Sequence, residues 1–385
     1  MDFTHIQTDL LTQILVALVF VGFVLLVVHY AVQYIYVAYK AKKVAQKQPC
    51  DEAALPPVSV VMVAHNEAAF LKENLVYLLE QDYPDFEVVV VDYLSHDDTR
   101  FVLKLCKDNY KNLKVISFSD DVNMFFGRKY PLSIGIRSAK NDIIVLTDVD
   151  CMPDGLHWLR RTVEGFERPR TNMVMGYGMI VAEKGVLGSF QRYDNLTYSG
   201  WYLSSALRHR PVTASDRNLA YRKGFFFSKG AFISHYNEPD GAADMFVNQN
   251  GTPRNTEVNL HPETFVKFKA PKTFIQWRQM RQHRMATYRH HTFWQKTVSA
   301  TGDMALVVFY GAVAALIATG LFPWEILAGV VLLKFGVQIL SLAQLEKALG
   351  EKGLCWAAPM FEIYFLVANT ILLMFPLKYK YKNKK

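Results

Sequence analysis

Residues 141–155, Asn-Asp-Ile-Ile-Val-Leu-Thr-Asp-Val-Asp-Cys-Met-Pro-Asp-Gly, decide the fold of this chain. Their apolar run, 143–146, is typical of a short strand that is covered on both faces. Asp148 and Asp150 follow the run, and because side chains alternate along an extended segment, the two carboxylates project from the same side. Ligands of open α/β sheets bind at the carboxyl ends of the strands, so this pair suits a divalent cation that bridges nucleotide phosphates. The alternative is that the two acids only hydrate a strand end.

Strand and helix patterns alternate on the N-terminal side of this stretch. The apolar runs predict strands over 58–64, 86–92, 114–118 and 142–146, with helices over 68–81, 98–110 and 130–139. This alternation predicts an α/β fold, in which helices cover both faces of a parallel sheet. The first strand is followed by neither a GxGxxG fingerprint nor a Walker loop, which argues against the dinucleotide-binding and P-loop classes.

The composition points to a membrane rather than to nucleic acid. Of the 385 residues, 51% are hydrophobic, which is high enough to indicate membrane segments beside a sizeable core. The net charge is +8, but lysines gather in two places: Lys40, Lys42, Lys43 and Lys47, and then Lys378, Lys380, Lys382, Lys384 and Lys385. Such clusters are typical of membrane-flanking charge, so we expect no nucleic-acid partner. The four cysteines show no metal-binding spacing and indicate a reducing compartment.

The first apolar segment, 10–39, contains no Asp, Glu, Lys or Arg and exceeds the ~20 residues that a helix needs to cross a bilayer. Acidic residues precede it and basic residues follow it, so the positive-inside rule places the rest of the chain in the cytoplasm. Further apolar runs at 304–321, 326–345 and 360–377 predict C-terminal spans at the cell inner (cytoplasmic) membrane. Their number stays open, because three full crossings would leave the C-terminal lysines outside.

Two more segments carry aromatic residues. Residues 186–207 have helical periodicity. Core packing is the first interpretation of their tyrosines and Trp201, and acceptor binding or contact with the membrane surface are the alternatives. Residues 274–294 mix aromatic with basic side chains, a composition typical of a helix that lies among lipid headgroups.

Five motifs occur in order along the chain: 58–67 (VSVVMVAHNE), 88–99 (VVVVDYLSHDDT), 128–136 (RKYPLSIGI), 147–151 (TDVDC) and 240–248 (DGAADMFVN). Together they resemble the membrane-anchored family 2 glycosyltransferases, which have a GT-A fold. The resemblance implies that a sugar is transferred with inversion from a nucleotide-sugar, usually a UDP-sugar, with Mg²⁺ or Mn²⁺ as cofactor.

The resemblance also implies roles for individual residues on the donor side. The family's nucleotide-binding turn corresponds to Ala64, Asn66 and Glu67, its nucleobase-contacting acid to Asp92, and a basic residue near the nucleotide to Lys129. By the same resemblance, Asp148 corresponds to the first acid of the family's Asp-x-Asp motif, which faces the ribose, donor and metal, and Asp150 corresponds to the second acid, the metal ligand.

Asp244 matches the presumed general base on the acceptor side. An acid often precedes the base in the family, but here that position is Ala243. The chemistry agrees with these roles, because a dication stabilises a leaving nucleoside diphosphate and a carboxylate can take the proton of an acceptor hydroxyl. An ordinary acid at a helix start is the alternative for Asp244.

One departure concerns the Gln-x-x-Arg-Trp motif of processive members. Gln279 or Arg281 can start it, but neither register supplies the Trp. We therefore expect transfer of one or a few sugars to a lipid-linked or glycan acceptor. There are two alternatives: a processive polysaccharide synthase with a channel, and a non-catalytic membrane protein that retains the fold. Gln279, Arg281, His283 and Arg284 remain candidates to hold the donor diphosphate, and contact with lipid headgroups is the other interpretation of this basic group.

The predicted organisation has four parts. An N-terminal transmembrane anchor covers 1–45, a cytoplasmic GT-A catalytic domain 46–275, an interfacial amphipathic segment 276–302, and C-terminal transmembrane helices with a basic tail 303–385. The expected partners are the nucleotide-sugar donor, the acceptor and membrane lipids.

Overall fold

The structure, a computed structural model, describes residues 10–47, 55–118, 127–236, 238, 241–320 and 322–374. The chain divides into two compact units. The sheet unit is Lys40–His290, and the helical unit combines residues 10–39 with 291–374. Residues 276–290, which the sequence suggested as an interfacial segment, thus belong to the sheet unit. Asp240 and the C-terminal lysines lie outside the described residues.

The sheet unit alternates strands with helices. Its strands are β1 Val58–Ala64, β2 Phe86–Tyr93, β3 Leu113–Phe118, β4 Ile143–Leu146, β5 Cys151–Pro153, β6 Met173–Met175, β7 Gly178–Val181, β8 Leu219–Arg222, β9 Thr256–Val258 and β10 Val266–Lys269. Helices α1 Leu10–Tyr30 and α2 Tyr36–Val44 precede β1. The helices that follow in the sheet unit are α3 Ala68–Leu79, α4 Thr99–Asn109, α5 Lys129–Ser138, α6 Trp158–Val163, α7 Val186–Leu207, α8 Lys223–Ser228, α9 Ala243–Asn250 and α10 Phe274–Ala286. The strands and helices predicted before residue 147 are confirmed, with ends that differ by one or two residues.

The main sheet has seven strands in the order β3-β2-β1-β4-β8-β6-β9. The first four are parallel, as predicted, whereas β8 runs antiparallel to both β4 and β6. A small second sheet has the order β5-β10-β7. Every residue of β1 and β4 is buried, which explains their continuous apolar sequences. Because β8 is antiparallel, its beginning lies at the same edge as the end of β4, where Leu219 pairs with Leu146.

One polar group inside β1 is satisfied by its neighbours. Ser59 Oγ donates to Glu87 Oε1 at 2.7 Å and accepts from the Asn141 N–H at 3.2 Å, and all three residues are buried. Asn141 Nδ2 also donates to the Val58 carbonyl at 2.8 Å. These bonds hold the start of the 141–155 stretch against β1, because buried polar groups are stable only when they are paired.

Helix α5 approaches the sheet closely at Gly135. A Cβ atom at this position would lie 2.7 Å from Val61 Cγ1 in β1. A larger residue would therefore push α5 away from the sheet, which accounts for the glycine in the 128–136 motif.

The helical unit contains long apolar helices. It is built from α1 Leu10–Tyr30, a π-helical turn Ala31–Ile35, the start of α2 Tyr36–Val44, α11 Phe293–Thr319, α12 Trp324–Ala348 and α13 Ala358–Met374. In the described part of the chain, three segments are long and apolar enough to cross a membrane: Leu10–Val44, Phe293–Thr319 and Trp324–Ala348. The apolar segment Cys355–Ile371 is shorter. The predicted apolar helices at both ends of the chain are therefore present.

The predicted continuous segment 274–294 is divided. Helix α10 ends at Ala286, a 3-10 turn follows, and α11 begins at Phe293. Thr292 and Gln295 form a capping box there, which satisfies the first free N–H groups of α11 and so starts a new helix.

Candidate active site

The ends of β1 and β2 lie side by side and carry predicted nucleotide-binding residues. Ala64 pairs with Asp92 across the two strands, and both residues are fully buried. Asp92 Oδ2 accepts a hydrogen bond from Arg100 Nε at 2.9 Å, whereas Oδ1 is buried with no hydrogen-bond partner among the described residues. Buried polar atoms normally have partners, so Asp92 Oδ1 is an acceptor available to an N–H group of a ligand.

The turn after β1 is fixed by the loop that follows β2. Asn66 has a φ of 57°, in the left-handed region that asparagine tolerates, and its Oδ1 accepts from the His96 N–H at 2.7 Å. The Glu67 N–H donates to Thr99 Oγ1 at 3.0 Å. Burial, followed by repulsion from Asp148, raises the pKa of Glu67 to about 7. Glu67 therefore lies within electrostatic range of the Asp-x-Asp motif.

Asp148, the first acid after β4, is held by an arginine. Its two carboxylate oxygens accept from the Nη1 and Nη2 atoms of Arg128 at 2.6 and 2.9 Å. Burial alone raises the pKa of Asp148, but Arg128 and then Arg217 outweigh it and hold the pKa below its usual range. Asp148 is therefore ionised at neutral pH.

Lys129 lies next to Arg128 in the sequence but makes different contacts. Its Nζ is buried and donates to the carbonyls of His235 and Glu238 at 2.7 and 2.8 Å. Lys129 thus connects α5 to the segment before α9. Arg128 is the residue of this pair that contacts the Asp-x-Asp motif, whereas the role near the nucleotide that the resemblance implies for Lys129 stays a prediction.

Asp150, the second acid, also has an arginine partner. Arg217 Nη2 donates to Asp150 Oδ2 at 2.8 Å, and the thiol of Cys151 donates to Asp150 Oδ1 at 3.2 Å. The Arg217 guanidinium lies 4.2 Å from the centre of the Phe268 ring in β10. This ring and Asp150 together fix the guanidinium at the edge of the sheet.

A cavity of about 430 Å³ opens beside these groups. Its charged lining residues are Arg128, Asp148, Asp216, Arg217, Asp244, His283 and Arg284, and its aromatic lining residues are Tyr198, Tyr202 and Phe268. Of the predicted site residues, Asp148, Asp244, His283 and Arg284 line the cavity, and Asp150 contacts its wall through Arg217. The remaining candidates are not among the lining residues: Ala64, Asn66, Glu67, Asp92, Lys129, Gln279 and Arg281.

Asp244, in the first turn of α9, faces the cavity beside a second acid. Asp216 Oδ1 accepts from the Ala243 N–H at 2.7 Å, and Asp244 Oδ1 accepts from the Met245 N–H at 2.9 Å. Burial, followed by repulsion from Asp216, raises the pKa of Asp244 to about 7. A carboxylate with this pKa exchanges a proton readily near neutral pH, which is what a general base requires.

Helix α10 is attached to the cavity wall by Asp194 of α7. The Asp194 carboxylate lies 3.4 Å from Trp277 Nε1, Arg281 Nε and Arg284 Nη1. Trp277 and Arg281 are buried in the sheet unit, which differs from the headgroup position that the composition indicated. A buried acid on another helix is the physical reason, because it supplies the charge partner that local composition does not reveal. Arg284 continues into the cavity, where its guanidinium lies 4.0 Å from the centre of the Tyr198 ring.

Gln279 and His283 lie on the more exposed side of α10. The structure leaves Gln279 exposed and outside the cavity lining, whereas His283 is exposed but lines the cavity mouth. Only the second of these is placed to reach a cavity ligand.

A divalent cation fits this site together with a substrate. Among the described residues, no three His, Cys, Asp or Glu side chains group closely enough to hold a metal ion alone. Mg²⁺-type sites at phosphates commonly use one or two carboxylates and complete their coordination with phosphate oxygens and water. Asp148 and Asp150 supply carboxylates of that kind. The donor set therefore matches a cation that shares its ligands with a diphosphate.

The sequence analysis assigned no role to four residues of the site: Arg128, Asp194, Asp216 and Arg217. A signal for Asp216 and Arg217 does exist in the sequence. They form a charged pair just before the apolar strand 219–222, and an antiparallel strand places its beginning at the edge where parallel neighbours end. However, the direction of β8 depends on tertiary packing. Only an antiparallel β8 brings Asp216 and Arg217 to the edge of the sheet where β4 ends.

Comparison with known proteins agrees with this geometry. Residues 59–236 match the family model described as Glycosyl transferase family 2. Glycosyltransferase AglE of Haloferax volcanii is 28% identical over 185 residues, which are 48% of this chain and 58% of that protein. Probable glycosyltransferase YdaM of Bacillus subtilis is 24% identical over 230 residues, 58% of this chain and 54% of that protein. The chain thus spans somewhat more than half the length of these curated relatives.

A solved structure shares the fold. The mannosyltransferase PcManGT from Pyrobaculum calidifontis, in complex with GDP-Man and Mn²⁺, matches with a TM-score of 0.59 at 20% identity, over 95% of this chain and 99% of that one. The sheet order and this structural match indicate a GT-A-like α/β fold. Residues 59–236 thus match a family 2 glycosyltransferase domain, and this match and the shared fold confirm the predicted family resemblance and fold class.

Proposed function

We propose that the protein is a membrane-bound glycosyltransferase that moves a sugar, with inversion, from a nucleotide-sugar to a lipid-linked or glycan acceptor at the cytoplasmic membrane face. One observation carries the proposal: Asp148 and Asp244, far apart in the sequence, line a single cavity together with three arginines. The apolar helices at both ends of the chain support membrane attachment, and the basic residues after α1 support the cytoplasmic side.

The donor would bind along the strand ends. Asp92 Oδ1 accepts an N–H of the nucleobase, because it is a buried acceptor that the described protein groups leave unsatisfied. Arg128, Arg217 and Arg284 face the diphosphate, where guanidinium groups form strong charge-assisted hydrogen bonds. A divalent cation at Asp148 and Asp150, when bound, neutralises charge that develops on the leaving diphosphate.

The acceptor would react next to α9. Its hydroxyl oxygen forms a bond to the anomeric carbon while the bond from that carbon to the diphosphate oxygen breaks on the opposite face. The hydroxyl proton passes to the Asp244 carboxylate, whose pKa of about 7 suits this transfer at neutral pH. This single displacement inverts the anomeric configuration and needs only one protein base.

A binding test distinguishes between the two candidate donor nucleotides. The resemblance favours a UDP-sugar, whereas the solved relative holds GDP-Man. A thermal-shift panel of UDP-sugars and GDP-sugars, with and without Mn²⁺, on the full chain in detergent identifies the donor. Failure of every nucleotide-sugar and nucleoside diphosphate to stabilise the chain contradicts the proposal.

The catalytic assignment is tested with Asp244→Asn. We expect a loss of transfer rate of about 10²- to 10⁴-fold, which is the usual contribution of general-base catalysis. Donor-induced stabilisation should persist, because the proposed role of Asp244 concerns the acceptor rather than the donor. Asp85→Asn is the matched control, since Asp85 is an exposed aspartate paired with Lys140. Full activity of Asp244→Asn excludes the assigned base, and product length by mass spectrometry separates single transfer from polymer synthesis.

A further inference from the structure

Both acids of the Asp-x-Asp motif carry a guanidinium partner. Arg128 binds Asp148 through two hydrogen bonds, and Arg217 binds Asp150 at 2.8 Å. The two pairs differ in one respect. Arg128 engages both oxygens of its acid, whereas Arg217 engages Oδ2 of Asp150 and the weaker thiol donor of Cys151 engages Oδ1. Asp150 is therefore the carboxylate that a cation can approach with less competition.

A cation and Arg217 compete for this carboxylate. A dication on Asp150 would stand close to the Arg217 guanidinium, and two positive groups on one carboxylate repel each other unless an anion joins them. The diphosphate of a nucleotide-sugar is such an anion. Cation binding at Asp150 is therefore expected to be unfavourable without the diphosphate and favourable with it.

Arg217 is also placed to receive that diphosphate. It lines the cavity, and the Phe268 ring supports one face of its guanidinium at 4.2 Å. Its Nε is buried and has no hydrogen-bond partner among the described residues, although guanidinium groups carry five N–H donors. The group thus has hydrogen-bonding capacity beyond its bond to Asp150, and phosphate oxygens are the acceptors that match its fork geometry.

We propose that Arg217 couples cation binding to donor binding: it neutralises Asp150 until a nucleoside diphosphate enters the cavity, then bonds the diphosphate and leaves Asp150 to the cation. The inference rests on the proposed function and adds a positioning role for a residue outside the family motifs. Because coupling of two ligands is reciprocal, the nucleotide must strengthen cation binding by the same factor by which the cation strengthens nucleotide binding.

The test measures two affinities on the full chain in detergent. Free Mn²⁺ is followed by its electron paramagnetic resonance signal, with and without GDP or UDP, and nucleotide binding is measured in EDTA by calorimetry. For Arg217→Gln we expect Mn²⁺ alone to bind about tenfold tighter and the nucleotide alone about tenfold weaker, which is close to the lower end of the effects measured for close charge pairs. The coupling factor between Mn²⁺ and nucleotide should fall towards one.

Opposite changes in the two affinities separate this role from structural damage, which weakens both. Arg217→Lys keeps the charge without the fork, so it should keep the weak Mn²⁺ binding of the unchanged protein but lose nucleotide affinity. Arg222→Gln is the matched control, because Arg222 also combines an aspartate partner, Asp142, with a phenylalanine ring, Phe166. It should behave like the unchanged protein.

Two results have distinct meanings. If the unchanged protein binds nucleotide but Arg217→Gln leaves Mn²⁺ affinity unaltered or weaker, the coupling role is overturned and the proposed function stands. If the unchanged protein binds neither GDP nor UDP at any Mn²⁺ concentration, the proposed function itself fails, and the coupling role fails with it.

Discussion

The Asp216 carboxylate accepts a hydrogen bond of 2.7 Å from the backbone N–H of Ala243, one residue before Asp244. In the resembling family an acid often occupies the position before the base, and this chain has Ala243 there. Here the loop before β8 brings an acid, Asp216, next to Asp244 from a distant part of the sequence. Asp244 therefore has a like-charged neighbour, and that neighbour contributes to its raised pKa.

The first prediction concerns the pH dependence of transfer. Because the pKa of Asp244 is raised to about 7, the carboxyl is protonated below that pH and cannot accept the acceptor's proton. We expect kcat/KM to fall as the pH drops below about 7. Asp216→Asn removes the neighbouring charge but keeps an oxygen for the Ala243 N–H, so the acidic limb should move to lower pH. Rate measurements from pH 5 to 9 check this, and an unchanged limb in Asp216→Asn contradicts it.

The second prediction separates recognition of the nucleobase from recognition of the diphosphate. Asp92→Ala removes the unpartnered acceptor Oδ1 at the end of β2. Loss of a hydrogen bond to a charged group should weaken nucleotide binding by roughly tenfold or more. Binding of pyrophosphate with Mn²⁺ should not change, because pyrophosphate has no base. Calorimetry with both ligands measures the difference, and equal losses for the two would show that Asp92 acts only on the fold.

Much of the sheet was predictable because its strands are buried on both faces. Val58–Ala64 and Ile143–Leu146 are continuous apolar runs, and their burial leaves little choice of structure. Asp148 and Asp244 were found because each follows a local signal, a strand end for one and a helix start for the other. Both residues line the cavity in the structure.

The ion pairs of the site were not predictable in the same way. Arg128 pairs with Asp148 across 20 positions of sequence, and Arg217 with Asp150 across 67. Asp194 contacts α10 side chains that lie more than 80 positions later in the sequence. Such partners depend on how helices and antiparallel strands pack, so a local pattern could not distinguish Arg128 from its neighbour Lys129.

The third prediction concerns helix packing within the helical unit. A Cβ atom at Gly22 of α1 would lie 3.0 Å from backbone atoms of Phe309 in α11. Gly22→Leu should force the two helices apart and lower the free energy of unfolding by about 1–3 kcal/mol. Gly311→Leu in α11 is the control, because a Cβ there meets nothing within 4 Å. Thermal unfolding in detergent compares them, and equal effects of the two substitutions would rule out a close α1–α11 contact.

Ionisable side chains meet inside the helical unit. Lys334 of α12 is 1% exposed, forms an ion pair with Glu362 of α13, and donates to Gln338 Oε1 at 3.0 Å. Tyr30, at the end of α1, donates its hydroxyl to Glu362 Oε1 at 2.5 Å. Ionisable side chains in membrane-spanning helices generally face protein or water rather than lipid, and both of these charges are buried in the unit. The cluster joins three helices from opposite ends of the chain.

The fourth prediction follows from the cost of leaving one member of this pair alone. Lys334→Met leaves the Glu362 carboxylate buried without its cation and should lower the free energy of unfolding by about 3–5 kcal/mol. Lys334→Met combined with Glu362→Met replaces both charges with apolar groups, so most of that loss should be recovered. Lys347→Met removes an exposed lysine of the same helix and should have little effect. Chemical unfolding in detergent measures these variants together with Glu362→Met alone. If the double variant loses as much stability as the two single variants combined, the Lys334–Glu362 pair is not coupled and the prediction is wrong.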